Sequence, residues 1–272
     1  MNPTPQLFDR SALLRQRRRA RRDDLFLQQL AVDEVQDRLA MVNRSFRSPA
    51  VVTGFPEIWR HRFADATVVR DTDTLDLETE AHDLVVHAMC LHWSNDPVGQ
   101  IIQCRRALRP DGLFLAVLLG GQTLHELRSA LAEAESRETG GLSPRIAPMA
   151  EIRDLGALLQ RSGLALPVAD TQVSVARYRD LMHLMHDLRG MGETNALAGR
   201  LRRPTRRAVF ASAADLYAAS FSADDGTLMA TFETICLTGW APSDSQPKPL
   251  RPGSAAARLA DVLKTTETKL RD

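Results

Sequence analysis

Cysteine is scarce and badly spaced for chemistry. Cys90, Cys104 and Cys236 are odd in number, far apart and each set in an apolar segment, which excludes a disulfide framework and the paired spacings of zinc or redox sites. They read as reduced, buried thiols. Long hydrophobic runs are also missing: no stretch approaches about 18 uninterrupted apolar residues, so no membrane span is expected. The N-terminus lacks the apolar core of a secretory signal, and Asp9, Asp23 and Asp24 break the acid-poor rule for mitochondrial presequences. The expectation is a cytoplasmic protein. Glycine is short where it would matter most. The stretch Ala50 to Trp59, AVVTGFPEIW, begins as a buried strand and breaks at Gly54, as a nucleotide-binding turn would. Phe55 and Pro56 then follow instead of further glycines, tightening any backbone approach to a ligand and removing an amide donor.

What is present describes a chain able to bury a sizeable core. It has 272 residues, 44% hydrophobic and 25% charged, enough for one large domain or one domain with an inserted lobe. The formal net charge of +1 hides a local excess, because Arg10, Arg15, Arg17, Arg18, Arg19, Arg21 and Arg22 crowd the N-terminus. This cluster and a second at 200–207 invite a nucleic-acid reading through phosphate neutralisation. Stacking aromatics are not interleaved with them, and arginine greatly outnumbers lysine throughout. A solvated helix face, or docking to an acidic protein partner, fits the pattern better.

Periodicity gives the fold class. Positions 11–22 are helix-prone, and Leu27, Ala31, Val35, Leu39 and Val42 form one helical stripe. Short apolar runs at 50–52, 66–69, 83–89 and 113–119 then alternate with helices, which predicts an α/β, mostly parallel sheet covered on its faces. Proline marks the first turn of helices at Pro56 and Pro97, and RPDG at 109–112 is a turn signal between a helix and the next strand. A long helix is expected over 124–137 and another over 151–161, then strands at 165–169 and 172–176. An inserted helical pair at about 178–221 precedes a last strand at 231–240. The resulting division is an N-terminal helical segment 1–47, a core domain 48–241, and an extended Pro/Ser-rich tail 242–272.

Several segments carry a resemblance. HDLVVHAMCLHWSNDP at 82–97, ALRPDGLFLAVLLGGQTLHELR at 107–128 and GGLSPRIAP at 140–148 resemble the mitochondrial complex I assembly factor five family and its bacterial relatives. FDR at 8–10, RLAMVNRSF at 38–46, DLRGMGETN at 187–195 and PLRPGSA at 249–255 match in the same linear order. The resemblance implies a Rossmann-like class I methyltransferase fold, S-adenosylmethionine as cofactor, and arginine hydroxylation or methylation of a complex I subunit. The chain departs from that pattern in two ways. Only Gly54 remains of the glycine-rich turn, and between Gly54 and Asp83 there is room for one strand–helix unit fewer than usual.

In such sheets the ligand lies past the carboxyl ends of the strands where strand order reverses. That brings together Thr53, Gly54 and Phe55, Asp71 and Asp73, and Cys90 and Leu91 as the cofactor set. Asp71 falls either beside the adenine amine or, like Asp73, at the end of the second strand facing the ribose hydroxyls; an ionised carboxylate suits both. A sulfonium cofactor carries no phosphate and so one glycine could serve, but weak binding or none is expected. His92 as a general base and Trp93 as an aromatic wall for a cation follow the strand at 83–89. Glu193, in the loop GMGETNA, is suited to pairing with a guanidinium. His183 and His186 share a helix face, but at the edge of an apolar stripe rather than as metal ligands, and no metal is expected. Two other readings stand beside the enzyme: a non-catalytic assembly chaperone with a degenerate cofactor site, and an RNA-binding protein on the same fold. The enzyme needs an open hollow above the sheet, and a plug formed by the Phe55 or Trp59 ring would end it.

Overall fold

In the computed structural model, which describes residues 6–247, six strands form one sheet. They are β1 (Pro49–Thr53), β2 (Thr67–Arg70), β3 (His82–Ala88), β4 (Leu108–Leu119), β5 (Ala165–Tyr178) and β6 (Leu228–Trp240). Their order is β2-β1-β3-β4-β6-β5. The first four run parallel, whereas β6 is antiparallel to both β4 and β5. From β1 the chain steps outward to β2, then crosses back to β3 on the other side, so strand order reverses between β1 and β3. Only one strand–helix unit separates β1 from β3, which accounts for the short stretch between Gly54 and Asp83.

The period-two alternation of the strands divides the core into two layers. Val51, Leu84, Val86, Leu113, Leu115 and Val117 face one layer, while Ala50, Val52, Val85, Phe114, Ala116 and Leu118 face the other. The first layer is covered by α2 (Phe26–Met41), α3 (Pro56–Arg62), α5 (His125–Thr139), α7 (Leu181–Gly190) and α8 (Arg207–Phe221), and the second by α4 (Pro97–Ala107) and α6 (Ile152–Arg161). Leu27, Ala31 and Val35 of the predicted stripe are buried. The remaining helix, α1 (Arg10–Arg17), is capped by Asp9, whose carboxylate accepts the Ala12 N–H at 2.9 Å.

Two boundaries differ from the sequence expectation. The segment 165–178 is one strand rather than two, because Asp170 and Thr171 stay in register opposite Cys236 and Ile235. RPDG does not separate a helix from a strand. Leu108 already pairs with His82, and Asp111 takes a φ of 62° so that the chain bulges before rejoining at Leu113. Most of the tail lies outside the described residues. The unit that begins at Ser243 contributes a turn to them, closed by the Gln246 N–H on the Ser243 carbonyl.

Candidate functional site at the carboxyl edge of the sheet

The three segments expected to converge do so, at the ends of β1, β2 and β3. Thr53 is fully buried and its Oγ1 accepts the Phe55 N–H at 3.1 Å, so that amide is spent inside the turn. Asp71 immediately follows β2. Cys90 and Leu91 are buried below the edge, and a single 3-10 turn at Leu91–Trp93 carries His92 and Trp93 upward. Asp73 is exposed, and its carbonyl accepts from Gln103 Nε2 at 2.9 Å.

The hollow above these residues is roofed by α1. Phe8 gives its N–H to Asn95 Oδ1 at 2.8 Å and receives Asn95 Nδ2 on its carbonyl at 3.1 Å, while its ring meets Trp93 edge-on at 5.2 Å. Leu13 is fully buried beside them, with Ala196 and Leu197 of the loop after α7. Asp9 ties the same loop, donating its N–H to Ala196 O and accepting from Arg200. The loop sits this close because Gly190 and Gly192 have no side chains. A Cβ at Gly190 would lie 1.7 Å from Asp24 Oδ2, and Gly192 (φ 75°) would put one 3.2 Å from Arg17 Cα.

At the centre is Arg17, whose side chain is only 4% exposed. Its Nη1 donates to both Asp71 oxygens at 2.9 and 2.8 Å, and Arg10 Nη1 adds a third bond to Oδ2 at 3.2 Å. Burial works to raise the Asp71 carboxyl, but Arg17 and Arg10 outweigh it and hold it below the usual range. Burial likewise works to lower Arg17, and Asp71 and Glu193 more than offset it. Among the described residues, Arg17 Nε and Nη2 are buried without a hydrogen-bond partner. The guanidinium stands against Gly54: a Cβ there would be 2.4 Å from Cζ. The Phe55 ring lies beneath at 5.8 Å from Cζ, and Trp59 is in the core with its Nε1–H on Gln28 Oε1 at 3.1 Å.

So neither aromatic ring fills the hollow, and an arginine does. This corrects at one position the reading of the N-terminal arginines as a solvated face: Arg15, Arg18, Arg19, Arg21 and Arg22 are exposed, but Arg17 turns inward. Its sequence neighbours gave no sign, because an arginine within a run of arginines has no local mark of burial. Tested against S-adenosylmethionine, the chain offers a bare Gly54 and a carboxylate directly after β2. With α1 seated, however, Arg17 occupies the place against Gly54 and Arg10 and Arg17 together engage both Asp71 oxygens; the residues do not fit the cofactor in this arrangement. Outside Arg17 a cleft of about 1310 Å³ remains, lined by Gly54, Pro56, Glu57, Arg60, Arg70 and Asp73.

On the other side of Arg17, His92, Trp93 and Glu193 come together. Trp93 Nε1–H donates to Glu193 Oε2 at 2.7 Å, and His92 Nε2 is 3.7 Å from the same oxygen. His92 is buried, not water-facing, and its Nδ1 accepts the Leu119 N–H at 3.3 Å. Nε2 therefore carries the hydrogen in the neutral ring and, among the described residues, has no hydrogen-bond partner, the Glu193 carboxylate being 3.7 Å away. Glu193 and Trp93 border an apolar cavity of about 230 Å³ walled by Leu119, Leu127, Met149, Met185, Leu188 and Phe210. Arg145 at its edge is paired with Glu135, and exposed Arg189 also borders it.

The cysteines carry no chemistry here. Burial pushes the Cys90 thiol well up, and its Sγ lies 3.4 Å from His87 Nδ1; burial pushes His87 down to about 4, so it is neutral. His183 is exposed with Nε2 4.0 Å from Asp187, and among the described residues no three metal-ligating side chains gather.

Comparison with known proteins agrees with this architecture. The profile of a methyltransferase domain matches residues 24–116, the span that holds β1, β2, β3 and the residues under α1. Among curated relatives, the mitochondrial arginine hydroxylase NDUFAF5 of Danio rerio is 37% identical over 197 residues, covering 72% of this chain and 61% of its own. The human protein of the same name is 36% identical, covering 72% and 56%. A malonyl-[acyl-carrier protein] O-methyltransferase of Xylella fastidiosa is 35% identical over 65% of this chain and 58% of its own. The chain thus spans about three fifths of the length of the relatives it matches. A solved putative methyltransferase from Bacillus halodurans aligns at 12% identity with a TM-score of 0.49, covering 78% of this chain and 99% of that one.

Proposed function

The chain is a class I methyltransferase-fold protein akin to the NDUFAF5 arginine hydroxylases, and from that premise we propose that it is an enzyme modifying an arginine side chain of a protein client. One observation carries the reading. The cavity under α5, α7 and α8 is apolar along its walls and has the Glu193 carboxylate and the Trp93 indole at one border. An arginine has matching chemistry: a methylene stem that prefers apolar walls and a flat cation that forks onto a carboxylate. Trp93 anchors one lobe of that carboxylate and presents an aromatic surface to the cation. His92 Nε2 lies 3.7 Å from the same carboxylate.

Hydroxylation is the modification expected from the relatives' activity, with dioxygen as oxidant and an external two-electron donor so that its second oxygen leaves as water, and with a respiratory complex I subunit as client in a cytoplasmic setting. The test is capture of clients from cells with and without the gene, followed by mass mapping of their arginines. A gain of one oxygen on a client arginine that disappears in the deletion and in Glu193→Gln supports the proposal, and a gain of one methylene would make it a methyltransferase. Client arginines identical in mass with and without the gene would refute it.

A further inference from the structure

We propose that Arg17 decides whether the crevice accepts an adenosyl cofactor, its guanidinium and the adenosyl group competing for one place against Gly54 and Asp71. The inference rests on the adenosyl cofactor being the ligand of the fold and is independent of the arginine cavity. Three observations support it. First, the guanidinium stands where a Cβ at Gly54 would be 2.4 Å away, so the glycine's open face, the one place where the backbone lets a ligand come close, is already covered. Second, the carboxylate directly after β2 has its two oxygens bound by Arg17 and Arg10, and it is 5% exposed, so hydroxyls of a ribose could reach it only after an arginine lets go. Third, Arg17 is poorly satisfied where it is. Two of its three nitrogens are buried without partners, a costly state for a cation that keeps the contact replaceable.

Charge adds to sterics. S-adenosylmethionine carries a sulfonium and an ammonium against one carboxylate, a net positive charge that a guanidinium repels at short range in a buried site. In this competition Arg17 leaves together with α1, whose fastenings include Phe8 to Asn95 and Trp93 and Asp9 to Ala196 and Arg200. Cofactor entry and seating of α1 therefore exclude one another. Lifting α1 also removes a cation near Glu193, which couples the crevice to the cavity beside it.

Calorimetric titration with S-adenosylmethionine and with S-adenosylhomocysteine, whose sulfur is uncharged, tests this on the full chain. The wild type is expected to bind weakly, at millimolar ligand, and Arg17→Ala at least about tenfold more tightly, a difference of about 1.4 kcal/mol. Arg10→Ala, which frees one carboxylate contact and one carbonyl contact of Asp71 and leaves Gly54 covered, is expected to gain less. Amide hydrogen exchange on the unmutated protein gives a second readout should Arg17→Ala fail to fold: excess ligand should accelerate exchange across 10–17. Folded Arg17→Ala that binds no better than wild type would overturn the proposal. So would ligand binding to the wild type that leaves the α1 amides as protected as before.

Discussion

Replacing Asp71 by asparagine should be among the most damaging single changes outside the apolar core. The carboxylate is 5% exposed and Arg17 is 4% exposed, and among the described residues Asp71 is the only hydrogen-bond partner of the Arg17 guanidinium. Taking away the negative charge leaves a buried cation facing an amide, and breaking a buried pair by removing one partner costs about 3–5 kcal/mol. For a domain of this size each kcal/mol moves the melting point by roughly 2–4 °C, so a fall of about 6–20 °C is expected. The reverse deletion should be milder. In Arg17→Met the carboxylate keeps Arg10, itself 19% exposed, and the two unpartnered nitrogens of Arg17 are removed with it. Urea and thermal unfolding of Arg17→Met, Asp71→Leu and the double Arg17→Met/Asp71→Leu give the cycle, with Asp71→Asn beside them. The double variant should be more stable than Asp71→Asn, since apolar replacement of a buried pair is often neutral. An Asp71→Asn protein melting within about 3 °C of wild type would show that the pair is not a buried, mutually dependent one.

The other expectations are shorter. Glu193→Gln should lower kcat/KM on an arginine client at least about tenfold while leaving the melting point nearly unchanged, because the amide oxygen can still accept from Trp93. Gly54→Ala should speed amide exchange in α1, as its methyl would strike the Arg17 guanidinium; an unchanged exchange rate would place that guanidinium elsewhere. Burial works to raise Glu135, but Arg145 and Ser143 outweigh it and bring it down to about 2. Its folded value is thus below its unfolded one, so this contact stabilises the fold fully above the ordinary carboxylate range and is lost as pH falls toward 2; Glu135→Gln should flatten that acid limb. Burial pushes Cys236 up to about 12 and Cys90 and Cys104 up as well, so a thiol reagent at mildly alkaline pH should label none of the three until the chain unfolds.

Much of this molecule was legible without coordinates. Strand and helix periods are local, and they placed the alternating elements; the missing unit between Gly54 and Asp83 was legible only against the pattern of the family that the chain resembles. A glycine ending an apolar run and an acid after the next strand likewise marked the crevice at Gly54 and Asp71. Local pattern also misled in small ways: polar Asp170 and Thr171 looked like a break, but each has a strand partner in β6 that holds it in the ladder. What local pattern could not contain was the fate of Arg17. Its burial depends on a carboxylate 54 positions away and on a loop beyond α7 whose glycines let it press against the helix. The meeting of Trp93 with Glu193, 100 positions apart, is of the same kind. Composition and periodicity fix which face of a segment is apolar; only the folded chain decides which charges are carried inside, because desolvating a cation is tolerable solely where a distant partner arrives to meet it.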